Sequence, residues 1–165
     1  MKRSDQFYIE RASSILKHIQ YVTLASVTSD FKPWNSPVRA VFDDRLNCYW
    51  FSDKSGQHSQ NVRDNGSVFL VIYDSTVPEG QGAGVYIEAS AVELSDRAEI
   101  MKARHLKHEN ASDDADRFFG TAVRRVYKAV PGRVWTNDAQ WENGVFVRDY
   151  RVELSMPALT GAMAE

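Results

Sequence analysis

Cysteine is almost absent: Cys48 is the only one in 165 residues. That excludes an intrachain disulfide framework and a zinc cluster built on several thiolates. Inside a strand-like run, Cys48 reads as a packing residue. Long apolar runs are missing too, and no stretch reaches the ~18 residues that a membrane-crossing helix needs. The opening segment MKRSDQFYIERASSILKHIQ is interrupted by Asp5, Glu10 and Arg11. It lacks the apolar centre of a secretion signal, and a cytoplasmic protein is expected. A basic excess is also lacking. With 20 Lys and Arg against 22 Asp and Glu the formal net charge is -2, which gives a nucleic-acid partner little electrostatic support. Internal repeats and low-complexity linkers do not occur, and the length suits one domain over residues 1–165.

What remains, 43% hydrophobic and 25% charged residues, is the composition of a globular chain with enough apolar surface for one core. After Ser4 as a candidate N-cap, Phe7, Ile9, Ala12, Ile15, Leu16 and Ile19 recur at helical spacing and predict a helix over 4–19. YVTLASVTS, NSPVRAVFDD and CYWFSD read as a three-strand meander between Tyr21 and Asp53. SGQHSQNVRDNG predicts a short helix over 56–64, with Ser55 as its cap and Asn65-Gly66 as its stop. SVFLVIYDS is a strand apolar enough for burial on both faces, and VYIEASAVEL is one long alternating strand. Ser95 caps a helix with Ala98, Ile100, Met101, Ala103 and Leu106 on one face, and a second helical piece is expected over 113–120. RRVYKAVPGRVWTN and GVFVRDYRVEL read as closing strands separated by a turn, DAQWENG. The tail SMPALTGAMAE carries little pattern and reads as frayed or as a subunit contact. Seven or so strands in mostly meander order predict a mainly β, antiparallel barrel with helices at the N-terminus, after the third strand and after the long fifth strand.

Several motifs carry no chemistry. EGQGAG is followed by a strand, whereas a dinucleotide fingerprint needs a helix there, so it reads as a loop. His105, His108 and Glu109 share a helix with Lys102, Arg104 and Lys107, and a basic, solvated face accounts for them better than a metal site. No nucleophile-elbow motif supports a hydrolase. YWFSDKSGQHSQN is different. A strand ending in Ser52 and Asp53 runs into a helix that starts Gly56, Gln57, His58, Ser59, which brings amides, hydroxyls and an imidazole to one helix N-terminus. Such a point favours an anion. The alternative is that Ser52, Asp53 and Ser55 only turn and cap the chain.

The order helix, ASVTSDFKPWNSPVRAVFDD, CYWFSDKSGQHSQNVRDNGSVFLVIYD, GVYIEASAVEL resembles the pyridoxamine 5'-phosphate oxidase-like family, the FMN-binding split β-barrels. The resemblance covers Val22 to Leu94 well and VPGRVWTND through VRDYRVEL more loosely. It implies FMN at the interface of a homodimer, with redox chemistry on a small molecule and NADH or NADPH as a possible donor. Carried over by position, Ser36, Pro37, Val38 and Arg39 flank the flavin ring and ribityl chain, and Phe51, Ser52 and Asp53 approach from the next strand. Gln57 and His58 stand where the oxidases carry an Arg-Lys pair against the phosphate, and Ser59 joins Ser52 and His58 in the expected phosphate cradle. Trp135 matches a tryptophan that reaches the flavin from the other subunit, with a core or interface aromatic as the alternative. Arg151 matches an arginine near flavin or substrate. The ending is only RDYR, without the substrate-binding histidine, so pyridoxal-phosphate substrates lose support. The same fold with F420 or haem, or a flavin-binding module without turnover, stays open.

Overall fold

The computed structural model describes residues 3–78, 80, 82–108 and 114–164. The first helix, α1 (Asp5–His18), starts where Ser4 Oγ accepts the Phe7 amide at 3.2 Å. Asp5 in its first turn and Lys17 and His18 in its last complement the helix dipole. Its buried face holds Tyr8, Ile9, Ala12 and Leu16.

Strands β1 (Tyr21–Val27), β2 (Pro33–Phe42) and β3 (Cys48–Asp53) form the expected meander. Asp43 shapes the β2–β3 turn by accepting the amides of Arg45 and Asn47 at 3.0 and 2.9 Å. Helix α2 (Gln57–Asp64) follows, then β4 (Ser67–Tyr73), β5 (Gly84–Glu93), α3 (Arg97–Lys107) and a 3-10 turn, Ala115–Phe118. The chain closes with β6 (Arg124–Glu142), β7 (Val145–Glu153) and α4 (Met156–Ala164). The spatial order is β3-β2-β1-β4-β5-β6-β7, all antiparallel, and a β3–β6 pairing from Cys48↔Ala129 to Asp53↔Arg124 closes six strands into a barrel. This is the mainly β split barrel with peripheral helices that the sequence predicts. No helix among the described residues is long and apolar enough to cross a membrane.

The core lies inside the ring. Val22, Leu24, Val38, Ala40, Trp50, Leu70, Ile72, Ile87 and Tyr127 are buried there, and Trp50 stacks on Tyr127 at 5.5 Å. Cys48 is fully buried among them, and burial pushes its thiol pKa up, as a packing cysteine requires. A smaller core of Tyr49, Leu94, Ile100, Ala103 and Val126 joins α3 to the outside of the barrel.

Several expectations need correction. Asp96, not Ser95, caps α3, accepting the Glu99 amide at 2.8 Å. DAQWENG is not a turn of seven residues: β6 runs on to Glu142, and Asn143 and Gly144 alone turn the chain, with φ of 51° and 79°. Two successive positive φ values make the tight hairpin turn for which Asn-Gly is suited. β4 alternates buried and less buried residues, so it is not covered equally on both faces. The 113–120 piece is only the short 3-10 turn, with residue 113 outside the described residues, as are Glu79 and Gln81 of EGQGAG and Glu109.

The tail is the largest correction. It folds as α4, with Pro157 in the first turn, where its missing amide costs nothing. Leu159 is fully buried against the main core, and Lys17 Nζ donates to the Ala162 carbonyl at 2.9 Å. Leu159→Ala is therefore expected to cost about 3 kcal/mol in urea unfolding, the usual loss for a buried leucine. A loss below about 0.5 kcal/mol, the range of surface substitutions, would mean that the tail does not dock.

Candidate functional site

The turn from β3 into α2 is built by Asp53. Its Oδ1 accepts the Ser55 amide at 2.7 Å, and its carbonyl accepts the Gly56 amide at 3.1 Å. Gly56 is the N-cap residue, correcting Ser55, and no side chain caps the helix. A Cβ on Gly56 would lie 3.3 Å from the Asp53 carbonyl and 3.4 Å from the His58 ring, so the turn is tight enough to favour glycine. The Ser59 and Gln60 amides donate to the Gly56 carbonyl at 3.0 Å, so the first-turn amides left open at the positive end of α2 are those of Gln57 and His58.

His58 is half-buried, burial lowers its pKa, and its Nε2 is buried without a hydrogen-bond partner. Ser59 is fully buried and faces the Tyr127 phenol. Gln57 Nε2 donates to Asn61 Oδ1 at 2.9 Å, and Asn61 Nδ2 donates to Ser26 Oγ at 2.9 Å, pinning α2 to β1. On its other side Arg63 pairs with Glu93 at 2.9 Å and donates to the Lys54 carbonyl at 2.7 Å. Glu93 also pairs with Arg125 and accepts from Tyr127 at 3.0 Å, so the C-terminal half of α2 is held against β1, β5 and β6 through Asn61 and Arg63.

β2 presents its residues alternately. Val38 and Ala40 point into the barrel, and Pro37 and Arg39 are exposed on the side that carries α3. Ser36 is half-buried and accepts from Trp34 Nε1 at 3.2 Å. The Ala40↔Trp50 pairing sets Arg39 beside Phe51. Phe51 and Phe118 meet edge to face at 5.3 Å, and Lys107 Nζ lies 4.7 Å over the Phe51 ring. Between them opens a cleft of about 240 Å³ whose polar lining groups are Arg104, Lys107, His108, Arg117 and Arg124.

The structure thus brings Arg39, Phe51, Ser52, Asp53, Gln57, His58 and Ser59 together around the end of β3. Trp135 and Arg151 stand elsewhere: Trp135 on β6 beyond the part that pairs with β3, and Arg151 on β7, outside the closed ring. Trp135 stacks on Phe69 at 6.3 Å beneath the Arg133 guanidinium, and Arg151 lies 4.3 Å over the Tyr86 ring. Sequence reasoning missed Lys107, Arg117 and Arg124. The basic face of α3 reads as solvated in the sequence, yet its C-terminal end is half-buried against the barrel. The available signal was Arg104 and Lys107 at i, i+3, one helix face, followed by the aromatic pair Phe118 and Phe119. Among the described residues no group of three His, Cys, Asp or Glu side chains is placed to hold a metal.

The chain matches the family model described as pyridoxamine 5'-phosphate oxidase over residues 9–137. No curated protein is similar enough to match. Among solved structures, the heme-binding protein from Mycobacterium smegmatis aligns with a TM-score of 0.68 at 18% identity, over 98% of this chain and 62% of the mycobacterial one. The chain therefore spans less than two thirds of that protein. HutZ, the heme storage protein from Vibrio cholerae, aligns with a TM-score of 0.61 at 13% identity, over 73% and 88% of the two chains. An F420 reductase aligns at 0.55 with 18% identity, over 74% and 94%. At these identities the likeness shows the shared fold, while the family model spans well over half of the sequence. The chain belongs to the pyridoxamine 5'-phosphate oxidase family.

Proposed function

We propose that the protein is a cytoplasmic, homodimeric FMN-binding oxidoreductase acting on a small molecule. The observation that carries this reading is the uncapped start of α2 with the buried, partnerless Nε2 of His58 behind it. Open amides, a helix dipole and an orphaned imidazole at one point suit a phosphate dianion. The cofactor's phosphate would sit on Gln57, His58 and Ser59 beside Ser52, with Asp53 holding the turn. The ribityl chain and ring would run along Ser36, Pro37, Val38 and Arg39 with Phe51 beneath. Trp135 and Arg151, on the part of β6 and β7 that runs beyond the β3 pairing, would come from the second copy.

When bound, the flavin supplies hydride or one-electron transfer. The chain's own part is to place it. The β2 backbone and Phe51 orient the ring, Arg39 offers a positive charge at its edge, and the second copy excludes water from one face. A phosphate dianion beside His58 favours the protonated ring and opposes the effect of burial.

Titration of the purified chain with FMN, F420 and hemin, followed by flavin fluorescence and visible absorbance, tests the cofactor. One FMN per chain with a micromolar or tighter Kd, in about the range of −8 kcal/mol or better, is the expected result. Hemin binding with a Soret band and no FMN binding would overturn it in favour of a haem protein. Steady-state NADH or NADPH oxidation by the loaded protein then separates an enzyme from a flavin carrier.

A further inference from the structure

We propose that Gly84, gripped by Thr136 and Asn137, positions the Tyr86 ring and through it the Arg151 guanidinium, and that this held cation faces the second copy's flavin and raises its reduction potential. Gly84, Tyr86, Thr136 and Asn137 are thus positioning residues that act through Arg151. The flavin half rests on the reading above; the positioning half does not.

The grip lies where β5 begins and β6 runs on past its pairing with β3. Thr136, fully buried, donates from Oγ1 to the Gly84 carbonyl at 3.0 Å, and Asn137 Oδ1 accepts the Gly84 amide at 2.7 Å. Both polar groups of one backbone residue are thereby fixed. Helix α1 braces the grip: Arg11 donates to Thr136 Oγ1 at 3.0 Å and to the Asn137 carbonyl. Gly84 has no side chain, and the Tyr86 ring lies back over it. A Cβ there would sit 3.3 Å from Tyr86 Oη and 3.4 Å from Cε2 and Cζ, close enough to push the ring aside. The φ of Gly84 is not positive, so the glycine supplies space rather than backbone freedom.

The ring so placed carries Arg151, whose guanidinium carbon lies 4.3 Å from the Tyr86 centroid and 5.5 Å from that of Phe69. Among the described residues Arg151 pairs with no carboxylate, whereas Arg133, on the neighbouring strand, is held by both oxygens of Glu153 at 2.9 and 2.7 Å. Ring faces fix a guanidinium without neutralising it. Arg151 is exposed, so its charge is open to a partner. Trp135, the other residue assigned to the second copy's flavin, is the register partner of Tyr86 and stacks on Phe69, which makes these four side chains one surface. A reduced flavin carries negative charge, and a cation held at its edge favours reduction. An arginine left to rotate in solvent would have to lose that freedom first, and would do less.

The δ-methylene protons of Arg151, read by NMR on the full chain without cofactor and assigned through Arg151→Lys, test the positioning. Lying against a ring face, they should resonate upfield of other arginines. Tyr86→Leu should abolish most of that shift, and Gly84→Ala and Asn137→Ala should each reduce it while circular dichroism stays unchanged. A shift as large in Tyr86→Leu as in the wild type overturns the positioning, and one untouched by both Gly84→Ala and Asn137→Ala overturns the grip. With FMN bound, Arg151→Gln should lower the midpoint potential. Tyr86→Leu should lower it too, and the double variant should fall no further than Arg151→Gln alone, because both act through one cation. A potential that ignores Arg151→Gln overturns the contact with the flavin, and additive losses overturn the claim that Tyr86 acts through Arg151. A chain that binds no FMN, yet loses the Arg151 shift in Tyr86→Leu, would retain the positioning and refute the flavin reading alone.

Discussion

His58→Glu is expected to weaken FMN binding about a hundredfold, as placing like charges face to face costs several kcal/mol and each 1.4 kcal/mol is tenfold. The geometry makes His58 sensitive. Its Nε2 is buried with no partner, and the α2 start beside it has no capping side chain to absorb the new charge. His58→Gln, which keeps a donor but cannot titrate, should lose no more than about tenfold. The pH dependence follows from the sign of the shift. Burial lowers the pKa of the free ring, and a bound dianion raises it, so FMN binding at neutral pH takes up a proton and weakens as pH rises. Calorimetry in two buffers of different ionisation enthalpy reads that uptake, which His58→Gln should abolish. A His58→Glu protein with wild-type FMN affinity would remove the phosphate from α2.

Trp50→Ala should cost roughly 4 kcal/mol, in the range for a buried tryptophan truncated to alanine. For a chain of this size that lowers Tm by about 10 °C. Trp50 is fully buried, stacks on its register partner Tyr127 at 5.5 Å and 17°, and fills the middle of the barrel. Its Nε1 is buried without a partner, a cost the wild type already carries. Trp50→Phe removes that unsatisfied donor while keeping an aromatic ring, and should recover most of the loss. Thermal melts of the two variants side by side check this; equal destabilisation by both would show that ring stacking is not what holds the site.

The elements that were legible in the sequence are those whose pattern is local. Ser4 and the Ile9, Ala12, Leu16 stripe announce α1, and alternation announces β1, β2 and β5. α4 was not legible because Met156, Pro157 and Gly161 give no stripe, and its helix is held by docking Leu159 on the core. The extension of β6 to Glu142 was hidden because DAQWE is polar, although Asn143-Gly144 was a turn signal in plain view. At the candidate site, the end of β3 and the start of α2 come together by chain connectivity, so sequence order alone placed Ser52 to Ser59. Lys107, Arg117 and Arg124 meet only through tertiary packing of α3 and the 3-10 turn on β3 and β6. No spacing rule joins Arg39 to Arg124.

The β3–β6 pairing joins the segments farthest apart in the chain of any ladder in the barrel, and Phe51, Ser52 and Asp53 lie on it opposite Val126, Arg125 and Arg124. Every other ladder of the ring can form with fewer residues between its partners, so this seam closes late, after the larger loop entropy has been overcome. Closure therefore adds the β6 residues to a β3–α2 turn that connectivity has already formed. A ligand that spans the seam acts as a clasp: it binds only the closed ring, and its binding energy adds to the stability of closure in proportion to its concentration over its Kd. Loading the site and sealing the barrel are coupled equilibria.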